Sequence, residues 1–412
     1  MQCFEPGEVF VLPTEGARIS REGPDGFRVL YSIADILRHY ELRSEDVLKQ
    51  FGAIPFIAQV PEGEELEYAD MYRHHAGVAV AIPNFHVSPQ AKSKTVEIEI
   101  FPKRIDDVIA YLNAEPRSDS CGGNVKIAIV DTGIEPSLLP NQGSLHPRQF
   151  ATDSPDPTTM PYDNVGHGTT VAYIINRIAP AATILSVKMM NEAGNVGGLI
   201  AAIFVAEAEF KPDIYNLSLG ISCDLDNCGS CGNPLGPAAV VNAHQLGLLF
   251  DLLDKRDIYV QDKPLLVAAA GNSSKSIRMP ASFSNVLAVG SYDPYTASIP
   301  AYAQYSKVDD TRFIVAPGGL NQPTKSFGRS KGNNFSPQGK YFYGTSFSAA
   351  FVTGIAARYL CATKGGPCGG LSVWPHSTTR EYLMQYLYRC AERRFTDYSP
   401  QSHGLGVVRY GL

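Results

Sequence analysis

The sequence predicts an α/β fold of three layers, in which helices cover a mostly parallel sheet, and a small α+β domain that precedes it. In residues 124–412, short runs of apolar and β-branched residues recur, and helical segments separate them. Runs that are apolar throughout are typical of strands buried on both faces, and their alternation with helices is typical of parallel sheets. Strand-like and helix-like segments also alternate within residues 27–87, which predicts the smaller domain.

Length and composition fit this organisation. The chain has 412 residues, of which 44% are hydrophobic, and its net charge is −6. These values predict a folded globular protein whose partners include neither nucleic acid nor an anionic membrane surface. No long uncharged apolar segment predicts a transmembrane helix. Residues 1–8 carry acids where a secretory signal would have a basic region and an apolar core, so we expect a cytoplasmic protein.

Three predicted segments precede residue 124. Residues 1–24, rich in proline, glycine and charge, predict an N-terminal arm, and residues 25–88 predict the α+β domain. Residues 89–123 predict a linker with a short strand and a helix. The expected elements are strands at residues 27–31, 54–60, 78–82 and 95–100 and helices at residues 33–50, 64–76 and 105–112.

Residues 124–412 predict the larger domain. The apolar run 127–131 ends in Asp131, which places this carboxylate at the carboxyl end of a buried strand, where open α/β sheets carry their sites. Further buried strands are expected at residues 182–189, 214–219, 265–270 and 286–291, with a helix at residues 197–210.

A histidine and a serine are expected at the starts of two helices. His167 stands between two glycines before an apolar helical run, and Ser346 follows a Gly-Thr pair at the first turn of a helix rich in small residues. A serine hydroxyl is a poor nucleophile at neutral pH, so it needs a base and donors for the oxyanion that it generates. His167 and Asp131 are candidates for the base and for the group that orients it.

These motifs resemble those of the subtilisin-like serine peptidases, or subtilases. The matching segments occur in the chain order Asp, His, Ser that is typical of subtilisin. They are Asp131-Thr132-Gly133, Gly166-His167-Gly168-Thr169, Asn216-Leu217-Ser218-Leu219-Gly220, Ala268-Ala269-Ala270-Gly271-Asn272 and Gly344-Thr345-Ser346-Phe347-Ser348-Ala349-Ala350.

The resemblance implies a role for each matching side chain. Ser346 would attack the scissile carbonyl, His167 would take up and return the proton, and Asp131 would orient the imidazole. Asn272 would donate to the oxyanion beside the N–H of Ser346. The residues implied to line the substrate cleft are Ser218, Leu219, Gly220, Ala269, Ala270 and Gly271.

Each of these residues has a plainer interpretation when it is taken alone. An aspartate after a strand is often a turn residue, a histidine between glycines often lies in a loop, and a serine before alanines often caps a helix. Gly-Asn, as at Asn272, is common in turns. Taken together, the motifs favour a serine endopeptidase that works through an acyl-enzyme. The competing function class is a catalytically silent peptide-binding or regulatory protein of the same fold.

Residues 25–88 look like the inhibitory propeptide domain of subtilases. The resemblance implies that this domain packs on the larger one, assists its folding and passes its carboxyl end through the active site. The alternative is a small appendage that only stabilises the fold or binds a partner. Any self-cleavage is expected between residues 88 and 123, and the sequence does not choose the bond. We expect a restricted processing peptidase that acts on a protein or peptide substrate.

The cysteines have three interpretations. Of the eight cysteines, Cys223, Cys228 and Cys231 fall in one insertion after the Ser218-Leu219-Gly220 segment. Their spacing fits a zinc site that His244 would complete, but disulfides and free thiols are also open. In the disulfide interpretation, Cys361 and Cys368 form a second local pair.

Calcium binding is also left open by the sequence. Calcium is frequent in subtilases, yet no acidic loop here matches a family site residue by residue. Asp153, Asp156 and Asp163 precede His167 and fit a solvated loop. We therefore expect no required cofactor, and we assign no metal ligand.

Overall fold

The computed structural model describes residues 3–17, 28–90, 92–95, 101–116, 118–152, 161–221, 237–255, 263–272, 277–294, 297–303, 313–319, 340–366, 380–393, 395 and 398–411. Two sheets dominate these residues, one antiparallel and built mostly from the N-terminal third of the chain, the other nine-stranded and mostly parallel. The predicted α/β class with a mostly parallel sheet is therefore confirmed.

The N-terminal third forms an antiparallel sheet with three helices. Its strands, in chain order, are β1 (Phe4–Pro13), β2 (Arg28–Ser32), β3 (Phe56–Gln59) and β4 (Val78–Pro89). Its helices are α1 (Ile33–His39), α2 (Ser44–Phe51) and α3 (Glu65–Arg73). In space the strands follow the order β4, β1, β3, β2.

Two of these elements differ from the prediction. Residues 1–24 were expected to form an arm, whereas Phe4–Pro13 is a strand paired with β3 on one side and β4 on the other. Pro6 and Gly7 lie where the pairing with β4 is irregular, and these turn-forming residues conceal the strand in the sequence. The helix expected at residues 33–50 is interrupted at Glu41, whose φ of 57° ends the first helical segment.

The chain then crosses to the larger domain through β5 (Lys92–Thr95) and α4 (Phe101–Tyr111). The linker predicted at residues 89–123 thus begins largely as strand, since β4 runs to Pro89 and β5 begins at Lys92. The strand predicted at residues 95–100 falls outside the described residues except for Thr95.

The larger sheet has the spatial order β16, β17, β14, β13, β12, β10, β6, β8, β7, and among the described strands only the β16–β17 pair is antiparallel. Its strands are β6 (Lys126–Asp131), β7 (Phe150–Ala151), β8 (Thr183–Lys188), β10 (Ile214–Leu217), β12 (Leu265–Ala269), β13 (Val286–Tyr292), β14 (Phe313–Pro317), β16 (Ala391–Glu392) and β17 (Val407–Val408). Three further strands lie outside this sheet: β9 (Gly194–Asn195), β11 (Leu219–Ile221) and β15 (Lys340–Tyr343).

Helices complete the larger domain, and most of them pack against this sheet. They are α5 (His167–Ile178), α6 (Val196–Glu209), α7 (Pro237–Asp251), α8 (Thr345–Thr363), α9 (Arg380–Arg389) and α10 (Pro400–His403). Helix α8 is buried from Thr345 to Cys361, because small residues let it run through the middle of the domain. In the described part of the chain, no helix has the length and apolar composition that crossing a membrane requires.

The N-terminal sheet is joined to the larger domain by backbone and side-chain contacts. Strand β4 pairs with β11 and with β9, both of which belong to the larger domain. Side chains add to this contact: the rings of Phe51 and Phe204 stack with centroids 4.5 Å apart, and Tyr40 exchanges two hydrogen bonds of 2.8 Å with the backbone of Ala151. The N-terminal sheet therefore packs directly on the larger domain.

Four of the eight cysteines can be assigned. Cys3 takes part in a disulfide, whereas Cys121, Cys361 and Cys390 are buried and are not disulfide-bonded. The predicted pair of Cys361 with Cys368 is therefore wrong. Cys368 and the three cysteines at residues 223, 228 and 231 lie outside the described residues. His244 is exposed on α7, and the zinc interpretation that included it stays a prediction.

Candidate active site

Asp131 and His167 form a buried pair at the carboxyl edge of the parallel sheet. Asp131 is the last residue of β6, and His167 is the first residue of α5. The Nδ1–H of His167 donates to Oδ1 of Asp131 over 2.6 Å, and each side chain is only 1% exposed. The backbone N–H of Thr132 donates to the same oxygen over 2.7 Å. Because Nδ1 is held by the carboxylate, Nε2 is the ring nitrogen left to face a reactant.

Asp163 ties together the two segments that carry this pair. Its Oδ1 accepts hydrogen bonds from Thr132 Oγ1 and from the N–H groups of Val165 and Gly166, over 2.7 to 2.9 Å. Its Oδ2 accepts from the N–H and the hydroxyl of Thr169, over 2.8 and 2.6 Å. The expectation of a solvated loop is thus wrong for Asp163, which is 8% exposed, and a negative charge there suits the start of α5.

Gly168 allows the start of α5 to approach β6 closely. A Cβ at this position would lie 2.2 Å from the carbonyl oxygen of Gly133 and 3.1 Å from Asp131. Any other residue would therefore push His167 away from its carboxylate. The second glycine of the Gly-His-Gly motif is explained by this contact.

Ser346 lies in the first turn of α8, where backbone N–H groups lack the partners that residues further along a helix have. Its N–H donates to the carbonyl oxygen of Gln90 over 3.2 Å, and its hydroxyl donates to the carbonyl oxygen of Ser218 over 2.9 Å. The next residue, Phe347, places its ring 5.5 Å from the imidazole of His167. The first turn of α8 therefore adjoins the Asp131–His167 pair.

Asn272 is held beside Ser346 in a defined orientation. Its Oδ1 accepts from the N–H of Thr345 over 3.0 Å and from the hydroxyl of Thr345 over 3.2 Å. That hydroxyl also accepts from the N–H of Gly271 over 3.0 Å, which fixes the turn that carries Asn272. With Oδ1 so occupied, the amide nitrogen Nδ2 has no hydrogen-bond partner among the described residues, and it is available as a donor.

The six predicted cleft residues fall into two adjacent groups. Leu219 and Gly220 belong to β11 and pair with Pro89 and Ser88 of β4, while the carbonyl of Ser218 accepts from the N–H of Gln90 over 3.1 Å. Strands β10 and β12 are parallel neighbours, with Leu217 opposite Ala268. The residues that follow these two positions therefore lie at the same edge of the sheet. Its members Ala269, Ala270 and Gly271 are buried at the end of β12 and in the turn after it.

Two tyrosines support the segment that leads to Ser346. The rings of Tyr302 and Tyr343 lie 5.3 Å apart, and Tyr302 donates to the carbonyl of Gly319 over 2.7 Å. Burial raises the pKa of both phenols above the usual value of 10.0, so both stay protonated at neutral pH. They therefore act as neutral hydrogen-bonding and packing groups.

Among the residues that the structure describes, no cluster of side chains would suit a metal ion. No three His, Cys, Asp or Glu side chains converge in the part of the chain that the structure describes. Asp153 and Asp156 lie outside it. Calcium binding therefore stays open.

The chain is similar to known proteins over much of its length. The family model of the subtilase family matches residues 122–406. Subtilisin NAT from Bacillus subtilis subsp. natto is 28% identical over 256 residues, and the thermophilic serine proteinase from Bacillus sp. (strain AK1) is 29% identical over 254 residues. Each match covers 58% of this chain and 56% and 52% of the relative, so the chain spans about half the length of these relatives.

A solved structure resembles the whole chain. The epidermin leader peptide processing serine protease from Staphylococcus aureus, determined as a point mutant, gives a TM-score of 0.64 at 16% identity, and the match covers 98% of both chains. At that identity the likeness shows the fold alone. It extends over the N-terminal sheet as well as the larger domain. Because the family model covers more than half of the chain, the chain belongs to the subtilase family.

Proposed function

We propose that this protein is a serine endopeptidase with restricted, processing-type specificity, and that its N-terminal domain regulates it by lowering its activity. The observation that carries the proposal is the 2.6 Å hydrogen bond between His167 Nδ1 and Asp131 Oδ1, buried beside the helix start that bears Ser346. A histidine held in this way is oriented as a general base.

In this mechanism Ser346 attacks the scissile carbonyl carbon and His167 accepts its proton. Asp131 keeps the imidazole oriented and stabilises its cation. The tetrahedral oxyanion lies against the N–H of Ser346 and Nδ2 of Asn272, both of which are donors in place before the reaction starts. Collapse gives an acyl-enzyme, His167 protonates the leaving amine, and water hydrolyses the ester.

Regulation by the N-terminal domain is supported by the pairing of β4 with β11. Substrates of a cleft like this one bind as an added strand, and β4 already occupies that edge. Proteins of similar structure include a lanthipeptide protease and the leader peptide processing protease, and a processing role for this chain is in keeping with them.

Hydrolysis of fluorescently labelled casein tests the peptidase function. The wild-type chain should hydrolyse casein slowly, whenever the N-terminal domain leaves the cleft, whereas Ser346→Ala should not hydrolyse it at all. Asp131→Asn should lower kcat by about 10,000-fold. Asp119→Asn, an exposed change of the same chemistry, is the control. Equal rates for the wild-type chain and Ser346→Ala would contradict the proposal and favour a peptide-binding protein.

A further inference from the structure

The end of β4 passes Ser346 as a bound substrate would. Ser88 lies opposite Gly220, and the N–H of Gln90 donates to the carbonyl of Ser218 over 3.1 Å. The carbonyl of Gln90 in turn accepts from the N–H of Ser346 over 3.2 Å. A carbonyl held by an oxyanion donor and next to the nucleophile is in the position to be attacked.

The chain is held again on the far side of this carbonyl. Strand β5 pairs antiparallel with β15, with Lys92 opposite Tyr343, three residues before Ser346. Ala91, between the two paired segments, lies outside the described residues. The larger domain thus pairs with the backbone both before and after the peptide bond that follows Gln90.

The side chain of Gln90 is enclosed where it meets the larger domain. It is 5% exposed, and its amide donates to the carbonyl of Ser88 in its own strand over 3.1 Å. A Cβ at Gly220 would lie 2.6 Å from Nε2 and 2.8 Å from Cδ of this side chain. The missing Cβ of Gly220 therefore makes the room that the glutamine occupies.

From these contacts we propose that the peptidase cleaves after a neutral side chain of glutamine's size, and that its own Gln90–Ala91 bond is the first bond it cuts. The proposal rests on the serine peptidase function proposed above. It adds the identity of the cleaved bond and the residue that determines the preference, Gly220.

The cut follows the ordinary course of acyl transfer. The Ser346 oxygen bonds to the Gln90 carbonyl carbon while its proton passes to His167. The bond to the Ala91 nitrogen breaks, and His167 gives the proton to that amine. Water then hydrolyses the ester, which frees Ser346 and leaves a carboxylate on Gln90.

A charged side chain would fit this site poorly. The Gln90 side chain is 5% exposed and lies against Gly220, and its amide donates to the carbonyl of Ser88. Glutamate in the same place would be a buried carboxylate that faces the Ser88 carbonyl and cannot donate to it, which is costly. Methionine has the same length and no charge, so it should be accepted.

Proline at position 89 is compatible with this pairing. In an antiparallel strand, successive N–H groups point to opposite sides. The N–H of Gln90 faces β11, so the nitrogen of Pro89 faces away from it, and proline costs no hydrogen bond in this ladder.

Intact mass spectrometry and N-terminal sequencing of the purified full chain test the proposal. The wild type should give fragments 1–90 and 91–412, with a new N-terminus at Ala91, and Ser346→Ala should stay uncut. Gln90→Met should be cut at a rate within about tenfold of wild type, whereas Gln90→Glu should be cut about 100-fold more slowly. Gln59→Glu, an exposed position in β3, is the matched control and should be cut at the wild-type rate.

A second pair of variants tests the role of Gly220. Gly220→Ala should slow the cut by about tenfold or more, because its methyl group meets the glutamine. Adding Gln90→Ala to Gly220→Ala should restore much of the lost rate, as expected for two residues in contact. Equal slowing with either residue at position 90 would overturn the assignment of Gly220.

A fluorophosphonate probe separates this proposal from the one on which it rests. A Ser346-dependent cut at another bond would overturn the present proposal and leave the peptidase function intact. An uncut chain with an adduct on Ser346 would also overturn the proposed cleavage site and leave the peptidase function intact. An uncut chain that also takes up no probe would overturn both.

Discussion

The side-chain oxygen of Asn272 accepts a hydrogen bond of 3.0 Å from the backbone N–H of Thr345, the residue directly before Ser346. This contact joins the turn after β12 to the first turn of α8. It turns the amide nitrogen of Asn272 away from Thr345 and leaves it as a donor. The two donors proposed for the oxyanion are therefore fixed to each other through Thr345.

Replacing Asn272 by alanine should lower kcat by about 100-fold to 1,000-fold, with little change in KM. The lost hydrogen bond is one that strengthens only as negative charge develops on the carbonyl oxygen. Steady-state kinetics on a peptide substrate measure both constants. A variant whose KM rises while kcat is unchanged would contradict the oxyanion role.

Thr345 supplies a check on this positioning. Thr345→Val removes the hydroxyl that links Gly271 and Asn272 and should lower kcat by about tenfold, whereas Thr345→Ser keeps the hydroxyl and should recover most of the activity. Equal losses in the two variants would indicate a packing role for the side chain.

Asp163→Asn should lower both stability and activity. An asparagine Nδ2 in place of Oδ2 would face the N–H of Thr169, so a charge-assisted hydrogen bond becomes a clash of donors. We expect a loss of about 1 to 3 kcal/mol in the free energy of unfolding. We also expect a drop of about tenfold in kcat as His167 shifts. Urea denaturation in the Ser346→Ala background and kinetics in the active enzyme measure the two effects.

The exposed Asp119 is again a suitable control. Asp119→Asn should change the free energy of unfolding by less than about 0.5 kcal/mol. If Asp163→Asn had no larger effect than this control, the hydrogen bonds by which Asp163 joins the Asp131 and His167 segments would not contribute to stability.

Tyr40→Phe should weaken the hold of the N-terminal domain on the larger one. The hydroxyl of Tyr40 donates to the carbonyl of Ala151 and accepts from its N–H, so its removal leaves two buried backbone groups without these partners. The cost of about 1 to 3 kcal/mol should raise casein hydrolysis by about 5-fold to 100-fold. Tyr382→Phe on the exposed face of α9 is the control, and an unchanged rate in Tyr40→Phe would argue against inhibition through this contact.

Glu8 makes the stability of the N-terminal sheet depend on pH. Burial raises the pKa of this carboxyl from its usual value of 4.5, a hydrogen bond from Asn84 offsets part of the rise, and Glu5 adds to it. A folded-state pKa above the unfolded one means that the folded chain favours the protonated acid. Glu8 therefore lowers stability at neutral pH, and this penalty disappears as the pH falls through the raised pKa to below the unfolded value.

Glu8→Gln should accordingly be more stable than the parent at pH 7, and the difference should shrink as the pH is lowered toward about 4. Urea denaturation of both chains over this range, each in the Ser346→Ala background, measures the difference. A Glu8→Gln chain that is less stable than the parent at pH 7 would show that the hydrogen bond from Asn84 outweighs burial.

The sequence predicts the positions of Asp131, His167, Ser346 and Asn272 because each belongs to a local motif whose glycines are required by close contacts. Gly168 is one such case. The buried strands were predictable for a similar reason, since continuous apolar runs leave few alternatives. Strand β14 was missed, although all five of its residues are buried.

Other features depend on contacts between residues far apart in the chain. Asp163 resembles any acidic loop residue until the folded chain brings Thr132, Gly166 and Thr169 around it. The placement of Gln90 at Ser346 depends on the register of β4 against β11, and no local pattern encodes that register. The bond proposed for self-cleavage could be chosen only once that register was known.

The adduct formed by a fluorophosphonate probe is the most direct measurement of the central claim. The probe is small and reacts irreversibly, so it accumulates even if the N-terminal domain leaves the cleft only briefly. After incubation with the folded wild-type chain, peptide mapping should place the adduct on Ser346, and His167→Ala should reduce its rate of formation by several orders of magnitude. An adduct on a different serine, or equal labelling of Ser346→Ala, would contradict a mechanism in which Ser346 is the nucleophile.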